Sequence, residues 1–234
     1  MTVTALVSGG KDSVYAAYLA DSQGWPVDEL LTLRPREPDS MLYHTPNLDL
    51  VALQAEAWRK RHRVVRVTEP GEAGELAALD AALGGSSGPV VAGAIASSYQ
   101  WTRLLRVAGR HGRRVYAPLW RVAPGRVVRE EIAAGLDIRL VHLAAEGLPP
   151  DWVGGRLDLA RLAQLEALHD DGRGVNVAGE GGEYETLVVD APFFEARIEI
   201  DRATTVVDRQ TSRYVISSAH LKRMEPVGPA SSAL

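Results

Sequence analysis

Short apolar segments alternate with helix-like segments through the first half of this chain, and this alternation constrains its fold most strongly. The strand-like segments are Val3–Val7, Val27–Leu33, Arg63–Val67, Val90–Ala94 and Arg114–Leu119. The helix-like segments between them are Ser13–Ser22, Asn47–His62, Glu72–Leu83 and Ser97–His111. Strands that alternate with helices pair in parallel, with helices on both faces of the sheet. The pattern predicts an α/β domain that binds ligands at the edge where its strands end.

The second half of the chain has a different pattern of segments, without regular alternation of strands and helices. Its helix-like segments are Arg129–Ala134 and Leu157–Leu168, and its short strand-like segments are Ile138–Leu143, Leu187–Val189, Ala196–Ile200, Thr204–Val207 and Tyr214–Ile216. This mixture predicts a smaller α+β domain. We expect one domain at residues 1–122, a second at residues 123–225 and a flexible tail at residues 226–234.

Composition excludes several classes of protein. The 234 residues are 46% hydrophobic and 24% charged with a net charge of −4, which is typical of a globular protein and not of a general polyanion binder. The absence of cysteine excludes disulfides, iron–sulfur ligation and any cysteine nucleophile in this chain. No apolar run reaches the roughly 18 residues of a membrane helix, and no basic signal region opens the chain. These features predict a cytoplasmic protein without a membrane partner.

A glycine-rich loop joins the first strand-like segment to the first helix. Its sequence is Ser8-Gly-Gly-Lys-Asp-Ser13. Gly9 and Gly10 permit a close backbone approach, the helix N-terminus favours anions, and Lys11 adds a point charge suited to phosphate. The Walker A spacing is absent, because Ala5 and Asp12 stand where that motif needs Gly and Ser/Thr. The loop predicts a cradle for a pyrophosphate group.

The same six residues resemble the PP-loop of ATP pyrophosphatases, which cleave ATP to AMP and pyrophosphate. Three further motifs follow predicted strands: Met41-Leu-Tyr-His-Thr-Pro-Asn47, Gly93-Ala-Ile-Ala-Ser-Ser-Tyr-Gln100 and Pro118-Leu-Trp120. A fourth is Gly179-Glu-Gly-Gly-Glu-Tyr-Glu-Thr-Leu-Val-Val-Asp-Ala-Pro-Phe193. In this order, from about Val3 to Ile200, the chain resembles the diphthine–ammonia ligase branch of this superfamily.

This resemblance implies the adenine nucleotide alpha hydrolase-like fold and an activity. The enzyme would use ATP and Mg²⁺ to adenylate the carboxylate of diphthine, a modified histidine on translation elongation factor 2. Ammonium would supply the ammonia that displaces AMP and leaves the amide, diphthamide. No stable nucleic-acid binding is expected, and a homo-oligomer is left open.

Site residues follow from the matched motifs. We expect catalytic roles for Lys11, Glu180 and Glu183, and Mg²⁺ ligation or helix capping by Asp12. The residues expected to bind the nucleotide are Ser8, Gly9, Gly10, Lys11, Asp12, Ser13, Gly93 and Ser97. The residues expected to bind the second substrate are His44, Tyr99, Gln100, Arg103 and Glu185.

From the residues alone, the carboxylates of Glu180, Glu183 and Glu185 leave alternatives open. Carboxylates beside a glycine-rich turn can hold Mg²⁺, bind ammonium or act as a base. The same residues also fit a solvated hairpin turn. Our hypothesis is that Glu180 and Glu183 act when ammonia attacks the adenylate.

Two other functions remain as alternatives. A stripe of arginines on the helix at Ser97–His111 would suit a tRNA-modifying PP-loop ligase; its members are Arg103, Arg106, Arg110, Arg113 and Arg114. The same stripe also fits a solvated helix face. A non-catalytic sensor of adenine nucleotides is the other alternative, which any ATP turnover would exclude.

Overall fold

The computed structural model describes residues 2–35, 47–172, 174–208 and 211–223. Five strands form a parallel sheet in the order β3-β2-β1-β4-β5. They are β1 (Val3–Leu6), β2 (Val27–Arg34), β3 (Arg61–Arg66), β4 (Val90–Val91) and β5 (Val115–Tyr116). The helices that follow the first four strands are α1 (Lys11–Ser22), α2 (Val51–Ala57), α3 (Gly71–Leu83) and α4 (Ser98–Arg110). The predicted α/β class is confirmed.

Helices cover both faces of this sheet, because alternate strand residues enter two different cores. Leu30 of β2 packs in a cluster with Val14 and Ala17 of α1. Its neighbour Leu31 packs in a second cluster with α3 and α4. Successive side chains of a strand point to opposite faces, so an uninterrupted apolar strand is buried on both sides.

The remaining elements form a second, antiparallel sheet and two further helices. The strands are β6 (Asp137–Leu143), β7 (Tyr184–Asp190), β8 (Ala196–Val207) and β9 (Ser212–Arg223), in the order β7-β6-β9-β8. The helices are α5 (Pro124–Ala133) and α6 (Leu159–Asp170). The largest core cluster contains residues of both sheets, including Ala5 of β1 and Val188 of β7. The two halves therefore share a core, while the domain limits at residues 122 and 225 stay predictions.

The expected limits of several elements are wrong; for example, β4 ends at Val91, β5 covers only Val115–Tyr116, and β9 covers Ser212–Arg223. Two further differences have a clear physical reason. The helix expected at Asn47–His62 ends at Ala57, because Arg59 adopts a left-handed backbone with φ of 53° and β3 starts at Arg61. The strands expected at Ala196–Ile200 and Thr204–Val207 are one strand, β8. A register shift around Asp201 lets the polar pair Asp201-Arg202 lie within that strand while it stays paired to β9.

Candidate functional site

The predicted PP-loop lies at the carboxyl end of β1 and opens α1. Gly9 has φ of +88°, and a Cβ there would lie 3.1 Å from the side chain of Val51, so glycine fits both the conformation and the space. The Ser13 hydroxyl donates to the Gly10 carbonyl at 3.0 Å and accepts from the Ser8 amide at 3.3 Å. These contacts shape the loop before any ligand binds.

Strand β7 of the second sheet supports the same loop from behind. The Gly9 carbonyl accepts hydrogen bonds from the Val188 amide at 3.0 Å and from the Gln54 side chain at 2.9 Å. The Lys11 amide donates to the Thr186 hydroxyl at 3.1 Å. The loop that would hold pyrophosphate is thus hydrogen-bonded to the second half of the chain as well as to the first.

Lys11 is buried beneath the loop, with 1% of its surface exposed. Its amine donates to Asp12 at 2.7 Å and to the carbonyl of Ala178 at 2.8 Å. Burial by itself would lower the pKa of Lys11, but the charges of Asp12 and Glu131 outweigh it and raise that pKa. Lys11 is therefore a charged link between the two halves, and its direct contact with pyrophosphate stays a prediction.

Glu131 is a buried carboxylic acid that the sequence reasoning missed. It lies on α5 with its Oε2 3.8 Å from the Lys11 amine, and the side chain of Asp12 is its other polar neighbour. Burial raises the pKa of Glu131, and the charge of Lys11 opposes this rise. The sequence could have indicated its burial, because Glu131 follows Val127 and Val128 at helical spacing and shares the buried face of α5 with them.

The three predicted glutamates have different environments. Oε1 of Glu180 accepts from the amides of Ile95 at 3.0 Å and Ala96 at 2.9 Å, which ties the glycine-rich turn to the loop after β4. Oε1 and Oε2 of Glu183 accept from the amides of Asn176 at 3.1 Å and Gly181 at 2.9 Å within its own turn. Glu185 follows on β7 and lines the candidate pocket. Because the carboxylates of Glu180 and Glu183 accept hydrogen bonds from backbone amides, the alternative of a freely solvated hairpin turn does not fit them.

Gly93 and Ser97 organise the loop after β4. A Cβ on Gly93 would lie 2.6 Å from the backbone carbonyl of Asp12, so glycine lets this loop pack against the start of α1. Ser97 caps α4 by accepting from the Gln100 amide at 3.4 Å, and it does not line the cavity described below, so its contact with the nucleotide stays a prediction.

Tyr99 and Arg103 meet at the outer rim. Both donate hydrogen bonds to the carboxylate of Glu72, and the Arg103 guanidinium lies 3.2 Å from the centre of the Tyr99 ring. The bond from Arg103 lowers the pKa of Glu72 below its ordinary value. This cluster joins α3 to α4 beside the pocket. The predicted substrate residue His44 lies outside the described residues.

A cavity of about 190 Å³ unites most of the predicted residues at the end of the parallel sheet. Its polar lining includes the loop at the start of α1 and Glu180. Its apolar lining includes Leu31, Leu33, Leu76, Leu79 and Leu104. The predicted site residues that line the cavity are Ser8, Gly10, Lys11, Asp12, Ser13, Gly93, Gln100, Arg103, Glu180 and Glu185. An anion cradle beside an apolar cleft fits a nucleotide.

Asp12 is the residue predicted to hold Mg²⁺, and its carboxylate also pairs with the Lys11 amine at 2.7 Å. It lines the cavity at the start of α1, and 29% of its side chain is exposed. The described residues contain no cluster of three acidic or histidine side chains around a metal position. Mg²⁺ in nucleotide sites commonly takes one or two carboxylates together with phosphate oxygens, so a single Asp12 fits this ion.

The five-arginine stripe expected on α4 is wrong. The helix ends at Arg110, and Arg113 turns inward, where its guanidinium donates to the Gly88 carbonyl and the Thr4 hydroxyl. Arg103 and Arg110 form ion pairs with Glu72 and Asp80. Arg113 is therefore buried inside the domain, whereas Arg106, Arg110 and Arg114 are exposed, as the alternative of a solvated helix face expects. As for membranes, no helix within the described ranges has the length and apolar character to cross a bilayer.

Comparison with known proteins matches both halves of the chain. Residues 1–115 match the family model of the diphthamide synthase N-terminal domain, and residues 124–222 match that of the C-terminal domain. The diphthine–ammonia ligase of Danio rerio is 35% identical over 231 residues, covering 88% of this chain and 89% of that protein. The diphthine–ammonia ligase of Homo sapiens is 32% identical over 233 residues, covering 88% and 85%.

A solved structure described as a predicted subunit of tRNA methyltransferase from Methanocaldococcus jannaschii aligns with 82% of this chain at 15% identity and a TM-score of 0.45. The two family models and the identity to diphthine–ammonia ligases together settle the family. This chain belongs to the diphthamide synthase family of ATP-dependent carbon–nitrogen ligases.

Proposed function

We propose that this protein converts diphthine on translation elongation factor 2 to diphthamide, using ATP and ammonia through an acyl-adenylate. The observation that carries the proposal is the loop from Ser8 to Ser13, which opens into the cavity and is held there by β7. The names of its relatives, which specify diphthine and ammonia, support the choice of substrates.

In the first step, the substrate carboxylate attacks the α-phosphorus of ATP and pyrophosphate leaves. The backbone amides of the loop and the positive end of α1 would stabilise the charge that develops on pyrophosphate. Asp12 would hold Mg²⁺, which neutralises charge on the phosphate oxygens when it is bound. Lys11 contributes a fixed positive charge below the loop, because its carboxylate neighbours keep it protonated.

In the second step, ammonia attacks the acyl carbon and AMP leaves. The chain contains no cysteine, so a cysteine glutaminase within it cannot supply the ammonia. Free ammonium is the source that this composition supports. The closing half, residues 123–225, would shield the adenylate from water, and we propose a cytoplasmic location where elongation factor 2 works.

The test is an incubation with ATP, ¹⁵N-ammonium and elongation factor 2 that carries diphthine, with mass spectrometry of the factor and chromatography of the nucleotides. We expect ¹⁵N in the amide, with AMP and pyrophosphate in equal amounts. ADP and phosphate as the main products would overturn the adenylate chemistry. Saturable, salt-sensitive tRNA binding would instead favour a tRNA substrate.

A matched pair of variants locates the chemistry. Asp12→Asn should lower turnover on the order of 10²-fold if Asp12 holds Mg²⁺ at the transferred phosphate. Asp28→Asn is the control, because Asp28 accepts a hydrogen bond from the Val3 amide at 2.7 Å and does not line the cavity. Equal losses in the two variants would remove Asp12 from the site.

A further inference from the structure

His142 is the cross-strand neighbour of the pocket residue Glu185. It lies on β6, opposite Glu185 on β7 and Arg213 on β9. Residues directly opposite each other in neighbouring strands project from the same face of a sheet. Nδ1 of His142 is 3.9 Å from Oε1 of Glu185, and their side chains are 17% and 16% exposed.

The hydrogen bonding of His142 differs from that of the other histidines in the described part of the chain. Each of the other four has a ring nitrogen within 3.3 Å of a polar partner; the pairs are His62–Thr32, His111–Asp80, His169–Val175 and His220–Asp201. His142 has no such bond there, and its Nε2 is buried without a partner among the described residues. A buried polar atom left unpaired is costly, so a purely structural role gives no reason for an imidazole here.

We propose that His142 is a positioning residue for the ammonium step, receiving through Glu185 a proton that ammonium releases. The inference rests on the proposed function and extends it by assigning a binding position to ammonium. The carboxylate of Glu185 would hold the cation, and the imidazole behind it would take the proton. Catalytic hydrogen bonds are often long before substrate binds, which is consistent with a separation of 3.9 Å.

The proton balance shows why an acceptor helps. Ammonium must lose one proton before nitrogen has an electron pair, and that N–H bond breaks with its pair left on nitrogen. The pair then forms the C–N bond, and the C–O bond to AMP breaks with its electrons on the departing phosphate. The nitrogen of the adduct loses a second proton, which is accepted by the predicted base Glu180 or by water. The first proton goes through Glu185 to His142 and from there to solvent.

The charged groups around the imidazole suit a temporary acceptor. Glu185 on β7 stabilises the imidazolium, and Arg213 on β9 opposes it from the other side. Arg213 is exposed, so solvent screens its effect.

The experiment compares His142→Asn with His220→Asn. His220 also pairs with a carboxylate, Asp201 at 2.8 Å, but Asp201, unlike Glu185, does not line the pocket. Two half-reactions are measured for each variant with diphthine-bearing elongation factor 2: substrate-dependent ATP–pyrophosphate exchange, and amide formation from the adenylate with ammonium. Hydroxylamine replaces ammonium in a parallel series, because it is already unprotonated at neutral pH and needs no acceptor before attack.

We expect His142→Asn to keep exchange within about twofold of wild type and to lose about 10²-fold in amide formation from ammonium at neutral pH. The loss should shrink as the pH rises and free ammonia becomes abundant. Hydroxamate formation should match wild type, and His220→Asn should behave as wild type throughout.

Three results would overturn parts of this scheme separately. Absence of substrate-dependent exchange in the wild type would remove the proposed function itself. Normal amide formation by His142→Asn would remove the role of His142 while leaving the proposed function intact. An equal loss in exchange, amide formation and hydroxamate formation would show that His142 is structural.

Discussion

The amine of Lys11 donates a hydrogen bond of 2.8 Å to the carbonyl of Ala178, which lies 167 residues further along the chain. Lys11 belongs to the loop after β1, whereas Ala178 belongs to the glycine-rich turn before β7. Lys11, which the sequence predicts to contact phosphate, thus also links the N-terminal half of the chain to the C-terminal half. Its loss should therefore affect both stability and rate.

Lys11→Met tests this double role. The substitution removes the buried amine with its hydrogen bonds to Asp12 and to the Ala178 carbonyl, so we expect a loss of about 3 kcal/mol in the free energy of unfolding. Turnover should fall on the order of 10²-fold. Denaturant titration and AMP release measure the two effects. Lys60→Met is the control, since Lys60 pairs with Asp21 at 2.9 Å outside the pocket. A variant as stable and active as wild type would contradict the assignment.

Glu131→Gln should change the pH dependence of stability. Burial raises the pKa of Glu131 above its ordinary value of 4.5, so the folded protein binds this proton more tightly than the unfolded chain. The stability that Glu131 contributes is therefore complete below its unfolded pKa and is lost as the pH rises above it. The neutral amide has no such loss, so Glu131→Gln should equal wild type near pH 4 and should be the more stable of the two at neutral pH.

Melting curves of wild type and Glu131→Gln, recorded from acid to neutral pH, test the predicted pH dependence of stability. Glu130→Gln is the matched control, because Glu130 bonds to Arg126 on the exposed side of the same helix. A Glu131→Gln variant that is less stable than wild type at neutral pH would mean that Glu131 is ionised there and stabilised by Lys11.

Gly93→Ala should disturb the loop more than any surface glycine. The added Cβ would lie 2.6 Å from the Asp12 carbonyl and 2.7 Å from the Ser13 amide, and backbone atoms cannot move aside like a flexible side chain. We expect a stability loss of about 3 kcal/mol and weaker nucleotide binding. Gly109→Ala is the control, since nothing lies within 4 Å of its Cβ position in α4, and it should gain about 0.5–1 kcal/mol. Similar melting temperatures for the two variants would argue against this packing.

Glu180→Gln and Glu183→Gln should differ in stability. One oxygen of Glu180 accepts both of its amide bonds, so glutamine can keep them and the change should stay within about 0.5 kcal/mol. Glu183 uses both oxygens, and the amide NH₂ of glutamine cannot accept, so about 1–3 kcal/mol should be lost. Thermal unfolding measures both changes.

Because Glu180→Gln is expected to fold normally, its rate of amide formation tests the predicted role of Glu180 in the ammonia step directly. If its carboxylate acts as a base, Glu180→Gln should lose about 10²–10⁴-fold in amide formation with unchanged nucleotide affinity. Normal amide yield in Glu180→Gln would leave this carboxylate as a structural tie between the turn and the loop after β4.

The sequence predicts the PP-loop and the strand–helix order correctly because both depend on local pattern. The residues from Ser8 to Ser13 carry the loop geometry in consecutive positions, and apolar strands of four to eight residues mark the sheet. Element limits were less predictable. Nothing in the local pattern shows that Arg59 turns left-handed, or that β9 pairs along the whole of β8.

The sequence by itself therefore determined the α/β class, the position of the phosphate loop and the family motifs. Only the tertiary structure decided how the charged side chains are used. It buried Arg113 against Gly88, placed Glu131 beside Lys11 and set His142 behind Glu185. The reason is physical: these partners come from different strands and helices, and their distances depend on how the elements pack. Local periodicity shows which face of an element is buried but not which charge lies opposite.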